Sequence, residues 1–218
     1  MLLDFIKDRF SLRSFAPQMP EFDDIKDILE AGRLAPSFLN LQPWHFIVIK
    51  DENVKNLLYN LSGGQQHVLE APVVIACCAD LRVFDYENYR ENLSKRAGMT
   101  QEKLQYFLNS KALNPASHSQ EAVKFRALEE VTYAIAYMTL MAHEKGLETC
   151  IVGGIGNEYT QILQDVYAVT KMELELPKDV CLAALLLVGY PAEDTIIPQK
   201  DRKSFEEVVS FEKYSELK

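Results

Sequence analysis

The stretch that decides the fold reads Leu34-Ala35-Pro36-Ser37-Phe38-Leu39-Asn40-Leu41-Gln42-Pro43-Trp44-His45-Phe46. Two prolines bracket a polar loop, in which Ser37, Asn40 and Gln42 supply hydrogen-bonding groups. Pro36 disfavours continuation of the helical pattern before it, and the β-branched run that begins at Phe46 predicts a strand. The stretch therefore predicts a helix–loop–strand unit whose loop can reach an apolar, planar ligand.

Helices and strands alternate on both sides of this unit. Asp23 or Asp24 can cap a helix that runs to about residue 34, with apolar positions at helical spacing. Continuous apolar runs at 72–79 and 181–188 are typical of strands buried on both faces. Further helices are predicted at 52–61 and at about 120–145. The pattern predicts one α+β domain over residues 1–218, a three-layer sandwich with a mixed central sheet between helices.

Several other segments have a less regular pattern. Residues 82–118 are polar and rich in Tyr, Asn and Lys, so we predict a helical excursion, or lid, outside the core. Its aromatic side chains can form a wall over a ligand or pack the lid onto the body: Tyr86, Tyr89, Tyr106 and Phe107. We interpret residues 150–154 as an apolar, glycine-rich turn and residues 159–169 as one helix. Residues 208–211 predict an edge strand with little local core, which favours a tail that extends onto a partner subunit.

Composition and charge argue against several classes of function. The chain carries 23 Lys and Arg against 32 Asp and Glu, a net charge of −9, which makes nucleic acid an unsuitable partner. Charge interrupts the N-terminus, and the longest apolar run, at 180–188, is too short to span a membrane. The 4 cysteines sit in or beside apolar runs without a CxxC pair. They favour buried thiols, no metal site and a cytoplasmic location.

Basic residues cluster near the two ends of the chain. Arg9, Ser11 and Arg13 alternate, so an extended segment would direct all three side chains to one side. Lys200 and Arg202 have the same spacing after the turn at 189–191. Arginine forks and ammonium groups suit a phosphate dianion. If the ends meet, these five side chains can surround a single phosphate.

Taken together, the motifs resemble those of the nitroreductase family. Its members open with Arg-x-Ser-x-Arg, here residues 9–13, and continue with Ala-Pro-Ser-x-x-Asn-x-Gln-Pro-Trp, here residues 35–44. An Ala-Pro-Val-Val-Ile strand follows, and Gly-Tyr-Pro-Ala-Glu with Lys-x-Arg closes the series, here at 71–75, 189–193 and 200–202. The blocks keep the family's order over nearly the whole chain. Phe38 and Gly64 depart from the pattern, since the family often has a small polar residue and Asn there.

The resemblance implies a homodimer that binds FMN at the subunit interface. Matching positions of the family hold the ribityl phosphate near both chain ends, and the loop after Pro36 lines the flavin from the other subunit. The turn at 152–154 would lie against the isoalloxazine ring, and His67 would face its pyrimidine edge. The predicted cofactor-binding residues are Arg9, Phe10, Ser11, Arg13, Pro36, Ser37, Phe38, Asn40, Gln42, His67, Val152, Gly153, Gly154, Lys200 and Arg202.

The resemblance also implies a reaction. NADH or NADPH would pass a hydride to flavin N5, and a nitroaromatic, quinone or similar small-molecule acceptor would then replace the product, in ping-pong turnover. No side chain is predicted to be catalytic. His67 is the candidate donor near flavin N1 and O2, although an isolated His in a polar loop is also compatible with a surface position. Two alternatives stay open: a specialised relative such as a reductive dehalogenase or flavin-fragmenting enzyme, and an FMN-binding sensor or storage protein.

Overall fold

The chain folds around one antiparallel β-sheet. The computed structural model describes residues 2–197 and 199–214. Four strands, β1 (Trp44–Ile49), β2 (Val73–Asp80), β3 (Glu148–Val152) and β4 (Val180–Gly189), lie in the order β1-β2-β4-β3. All neighbouring strands pair antiparallel, and a bridge between Ser11 and Thr149 adds a parallel contact at the β3 edge. The predicted α+β architecture is confirmed.

Helices cover both faces of this sheet. The long helix α7 (Gln120–Glu144) and its neighbour α2 (Phe22–Arg33) cover one face, while α3 (Glu52–Leu61) and α9 (Gln164–Glu173) pack together against the other. Short 3-10 helices lie at Phe38–Asn40, Leu81–Phe84 and Pro115–Ser117. The α-helices are α1 (Leu2–Asp8), α2 (Phe22–Arg33), α3 (Glu52–Leu61), α4 (His67–Glu70), α5 (Tyr86–Ser94), α6 (Gln101–Asn109), α7 (Gln120–Glu144), α8 (Glu158–Ile162), α9 (Gln164–Glu173) and α10 (Phe205–Val208).

Strand β2 divides the core into two clusters, as its unbroken apolar sequence predicts. Val73, Ile75 and Cys77 join the cluster beneath α2 and α7, which we call the α7 face. Val74 and Ala76 join the cluster beneath α3 and α4, which we call the α3 face. Successive side chains of a strand point to opposite faces of its sheet, so each strand residue belongs to one cluster. This division determines which parts of the chain can share a site.

The predicted excursion at 82–118 is helical and packs onto the α7 face. Helices α5 and α6 lie between two 3-10 helices, and they bury Tyr89, Leu93, Leu104 and Leu108 in the core. The Tyr89 hydroxyl donates a hydrogen bond to the Leu113 carbonyl oxygen, which closes the excursion on itself. Tyr89 therefore packs the lid to the body. Two other aromatic residues of the lid, Tyr86 and Tyr106, are exposed and do not pack into the core.

Three segments differ from the sequence prediction. Residues 148–152 form strand β3, whereas we expected a turn at 150–154, because β4 offers a full pairing edge to this run. The single helix expected at 159–169 is two helices, separated at Leu163, whose backbone is not helical at φ −111° and ψ 49°. The α2 N-cap is Glu21, without a side-chain cap bond, rather than Asp23 or Asp24.

The tail is also different from the prediction. Residues 208–211 were expected to form an edge strand, but Val208 ends the short helix α10 and no strand follows in the described residues. The Ser204 hydroxyl accepts the Glu207 N–H, and the Glu207 carboxylate accepts the Ser204 N–H. This capping box satisfies backbone groups locally and so favours a helical turn over an extended strand.

Candidate functional site

The N-terminal basic segment lies extended along strand β3. The Leu12 N–H donates to the Thr149 carbonyl oxygen at 2.9 Å. Phe10 and Leu12 are buried in the α3 face, which leaves the alternate side chains on the outer side of the segment. Phe10, expected to contact the cofactor, therefore serves here as a core anchor. It positions the polar side chains on either side of it.

The two ends of the chain meet, which is the condition under which the basic residues can share one phosphate. Arg9, Lys200 and Arg202 line one cleft of about 740 Å³. Ser11 and Arg13 line an adjoining cleft of about 400 Å³, together with Asp194, Thr195 and Ile196. The structure thus brings three of the five predicted phosphate-binding side chains together and places the other two next to them. Arg202 is exposed, and its guanidinium donates only to the neighbouring Asp201 carbonyl oxygen among the bonds found in the described residues.

His67 begins helix α4 and is half-buried beside this segment. Its Nε2 atom is buried and has no hydrogen-bond partner within the described part of the chain. Burial lowers the pKa of His67, and the cation of Arg13 lowers it further. These effects favour the neutral imidazole, which has an unsatisfied nitrogen at the site. A buried polar atom of this kind needs a partner, which a bound ligand can supply.

The turn after β3 presents bare backbone. Val152 is buried at the strand end, and Gly153 follows as an exposed residue. No heavy atom lies within 4 Å of the position that a Cβ on Gly153 would occupy. Gly154 has a φ of +78°, which favours glycine, and the Tyr159 ring packs against it. A flat group could approach this backbone closely.

The loop at 36–42 lies on the α7 face and has a backbone rich in left-handed residues. Leu39, Asn40 and Gln42 have φ values of +49°, +53° and +52°. The Gln42 N–H donates to the Ser37 hydroxyl at 3.0 Å, and the Gln42 side-chain amide donates to the Asn40 carbonyl oxygen at 3.3 Å. Pro36, Asn40 and Gln42 are exposed. The loop thus presents its polar groups outwards.

Glu130, a residue that the sequence analysis did not single out, fixes this loop to α7. The Phe38 N–H donates to both Glu130 carboxylate oxygens, at 2.9 and 2.8 Å, and Glu130 is only 1% exposed. The Arg126 guanidinium lies 5.1 Å from the centre of the Phe38 ring. A signal was present in the sequence, because Glu130 stands four residues before the buried Ala134 and so shares its face.

Glu148 is a second buried carboxylate that the sequence analysis missed. It lies at the start of β3, with its Oε1 atom 2.6 Å from Nδ1 of His143. Its Oε2 atom is buried and without a hydrogen-bond partner in the described residues. Burial raises the pKa of Glu148, against the opposing effects of His143, the Phe10 backbone and Arg9.

The segments that carry the predicted site residues pack on two different faces of the sheet. Phe10, Leu12 and Val152 belong to the cluster on the α3 face. Phe38 and Leu39 pack on the cluster of the α7 face. The described structure therefore does not bring the loop at 36–42 together with the basic segment within one chain.

Residues 6–190 match the model of the Nitroreductase family. The chain belongs to the nitroreductase family. Three curated relatives illustrate its range. An NADH dehydrogenase from Thermus thermophilus is 31% identical over 172 residues, which cover 78% of this chain and 77% of the relative. An FMN reductase [NAD(P)H] from Bacillus subtilis is 27% identical over 188 residues, 86% of this chain and 65% of the relative.

The third relative is named for a different activity from those of the first two. An iodotyrosine deiodinase from Thermotoga neapolitana is 27% identical over 194 residues, 88% of this chain and 89% of the relative. Among solved structures, a nitroreductase-like protein from Streptococcus mutans superposes with a TM-score of 0.77 at 22% identity. That match covers 96% of this chain and 97% of the other and supports the nitroreductase fold.

No described helix is long and apolar enough to cross a membrane. Within residues 2–197 and 199–214, no group of three or more His, Cys, Asp or Glu side chains is arranged to hold a metal ion.

Proposed function

We propose that this chain is an FMN-dependent oxidoreductase that transfers two electrons from NADH or NADPH to a nitroaromatic, quinone or similar small acceptor by ping-pong turnover. The observation that carries the proposal is the meeting of Arg9, Lys200 and Arg202 in one cleft. These residues come from near the two ends of the chain, and their guanidinium and ammonium donors suit a phosphate monoester. Ser11 and Arg13 extend the same donor set into the adjoining cleft.

The residues next to this cleft fit the rest of an FMN molecule. The unpartnered Nε2 of His67 suits the oxygen-rich pyrimidine edge of the flavin. The open backbone at Gly153, between Val152 and Gly154, suits close packing of a flat ring system. When bound, FMN would supply the two-electron chemistry, so the protein needs no nucleophile or general base of its own.

We propose further that the protein is a homodimer whose second subunit completes the site. The loop at 36–42 lies on the α7 face, whereas Phe10 and Leu12 of the basic segment are buried on the α3 face. A loop from a partner would supply the missing wall through Pro36, Ser37, Phe38, Asn40 and Gln42. Helix α7 also carries large exposed side chains, which supports an interface: Phe125, Tyr133 and Tyr137.

The described tail supports the same arrangement. Phe205, Val208 and Phe211 are all more than half exposed, although each is large and apolar. A partner surface would cover them, so we propose that the tail extends over the second subunit. Both core clusters share one sheet, and we propose a single domain over residues 1–218. The free cysteines support a reducing compartment such as the cytoplasm.

A second candidate function follows from the relative named iodotyrosine deiodinase, which matches over 88% of this chain. Reductive dehalogenation would use the same cofactor site, with a different acceptor beneath the lid at 82–118. The exposed Tyr86 and Tyr106 of the lid are free to contact an aromatic acceptor. The named activity of the FMN reductase relative favours the first candidate.

The test begins with the purified protein and its visible spectrum. We expect a yellow protein with bound flavin, which NADH or NADPH bleaches in the absence of oxygen. Release and chromatography of the flavin would identify it as FMN. A colourless protein that also fails to bind added FMN would overturn the proposal. Bound flavin that neither nicotinamide reduces would support a sensor or storage protein instead.

The acceptor is tested by adding candidate compounds to the reduced protein. Nitroaromatics and quinones should restore the yellow colour rapidly, while halotyrosines should do so only if the second candidate is correct. Release of halide, measured directly, separates dehalogenation from simple reoxidation.

A further inference from the structure

A single buried carboxylate holds the loop that we propose to line the cofactor. The Phe38 N–H is the first backbone donor of the 3-10 helix at 38–40, and both Glu130 oxygens accept it, at 2.9 and 2.8 Å. Glu130 comes from the middle of α7, 92 residues further along the chain. Helix α7 is the longest helix in the described chain and packs against the sheet, so it is a rigid base for this contact.

The loop needs such an attachment because its backbone is strained. Leu39, Asn40 and Gln42 all have positive φ values, and L-residues other than Asn and Asp seldom adopt them. Each such conformation persists only when the surroundings impose it. Hydrogen bonds inside the loop, such as that from Gln42 to Ser37, preserve its shape without fixing its position on the body. The Glu130 contact does fix that position.

Burial of the Glu130 carboxylate disfavours its charged form in the folded protein. Burial raises the pKa of Glu130, although the Phe38 N–H and the Arg126 cation oppose this effect. The charged and titratable groups found to interact with Glu130 are Arg126, Glu129 and Tyr133, all on α7. The loop contributes a backbone N–H and no titratable side chain between residues 34 and 43. A buried carboxylate with a raised pKa is a poor choice for stability alone.

We infer that Glu130 is a positioning residue, which in its ionised form holds the loop at 36–42 in the conformation that receives the cofactor. The inference rests on the proposed function, since it names what fixes one wall of that site. Glu130 acts through the Phe38 backbone and does not contact the cofactor itself.

The first test does not depend on FMN. Glu130→Gln keeps the shape of the side chain and removes its charge, and Glu130→Met removes both oxygens. Glu129→Gln is the matched control, because Glu129 is the neighbouring acid and pairs with Arg126 and Tyr133 rather than with the loop. Hydrogen exchange of the apo protein should be faster at residues 36–42 in both Glu130 variants, and unchanged in the control. Unchanged exchange of this loop in both Glu130 variants would overturn the inference.

A purely structural role predicts different results. If Glu130 only supported folding, the Gln variant would melt at a lower temperature and exchange would rise throughout α7. We expect instead that apo Glu130→Gln melts no lower than wild type at pH 7, because an ionised buried group has been removed. A large fall in its melting temperature together with exchange changes spread beyond the loop would contradict the positioning role.

The second test measures FMN affinity against pH. Glu130→Gln should weaken FMN binding by about tenfold at pH 7.5, the effect of losing one charge-assisted hydrogen bond. Wild-type affinity should approach that of the variant as pH falls through the raised pKa of Glu130, since protonation removes the same charge. Titration of the FMN phosphate affects both proteins and cancels in their ratio. If the ratio of wild-type to variant FMN affinity does not change with pH, the negative charge of Glu130 is not what holds the loop.

The two tests separate this inference from the proposed function. If exchange in the loop is faster in the Glu130 variants but neither wild type nor any variant binds FMN, the role of Glu130 in holding the loop stands and the proposed cofactor is wrong. If Glu130→Gln binds FMN normally and its loop exchanges at the wild-type rate, Glu130 does not hold the loop, whereas the proposed cofactor stands.

Discussion

The ring of Tyr159 lies 3.1 Å from the position that a Cβ on Gly154 would occupy, so these two residues fix the turn after β3. The same ring lies 3.1 Å from the Cβ position of Gly63, on the segment that leads to His67. Both glycines have positive φ, at +78° and +73°. Tyr159 therefore holds together two segments that we propose to face the flavin.

Gly154→Ala should destabilise the apo protein. The left-handed conformation costs an alanine roughly 1–2 kcal/mol, and the contact with Tyr159 adds to that cost. We expect the free energy of unfolding in urea to fall by about 1–3 kcal/mol. A variant that is as stable as wild type would show that the turn can move away from Tyr159 at little cost.

Gly153→Ala is the matched variant for Gly154→Ala. It should lower FMN affinity while leaving the stability of the apo protein nearly unchanged. The space around a Cβ at Gly153 is open, and its φ lies outside the left-handed region, so stability should change by no more than about 0.5 kcal/mol. FMN affinity should nevertheless fall, because the added methyl group would occupy the face proposed for the ring. Fluorescence titration of the apo protein with FMN measures this effect. Unaltered affinity would place the flavin elsewhere.

Arg202→Ala should weaken FMN binding without changing the fold. The guanidinium is exposed and is bonded to its neighbour's backbone at 3.1 Å, so its removal leaves no buried group unpaired. Loss of one or two charge-assisted hydrogen bonds costs roughly 1.5–3 kcal/mol of binding free energy each. Lys203→Ala, an adjacent exposed cation, is the control and should have a much smaller effect. Equal effects from the two changes would indicate general electrostatic attraction rather than a phosphate contact.

Tyr137→Glu should dissociate the proposed dimer. Tyr137 is 47% exposed on α7 and lines an apolar hollow with Phe5 and Met141. A carboxylate there would be desolvated in an interface, which costs several kcal/mol. Sedimentation analysis should show a monomer that has lost its FMN. Met172→Glu on α9, also highly exposed at 79%, should stay dimeric. A dimer that survives the Tyr137 change would place the interface away from α7.

Acidification should stabilise the wild-type apo protein relative to Glu148→Gln. Burial raises the folded-state pKa of Glu148 above its usual value, so the folded chain binds this proton more tightly than the unfolded chain. The resulting stabilisation is present at low pH and is lost as pH rises through the folded pKa. The difference in unfolding free energy between wild type and variant should therefore shrink towards pH 7. The opposite slope would mean that the hydrogen bond to His143 outweighs burial.

Strand β3 and the tail show where local pattern fails to predict structure. The turn expected at 150–154 is partly strand β3, since the pairing edge of β4 comes from residues more than 25 positions away. The strand expected at 208–211 is replaced by a capped helical turn, because Ser204 and Glu207 lie three residues apart and each accepts the other's backbone N–H. Glu130 was overlooked because an acid is ordinarily exposed, and only its tertiary partner, the Phe38 N–H, shows why it is buried.

The sequence by itself determined the family, the buried strands and the basic character of the two ends. Motif order and periodicity are local properties, and the extended segment at 9–13 and the apolar run at 72–79 express them directly. Tertiary structure alone decided that the loop at 36–42 and the buried Phe10 and Leu12 of the basic segment pack on opposite faces of one sheet. It alone also brought Arg9 and Lys200 into one cleft. It also decided that Tyr159 clamps Gly154 and that Glu130 anchors Phe38. The physical reason is that these relationships depend on which face of a strand or helix each residue occupies after long-range packing.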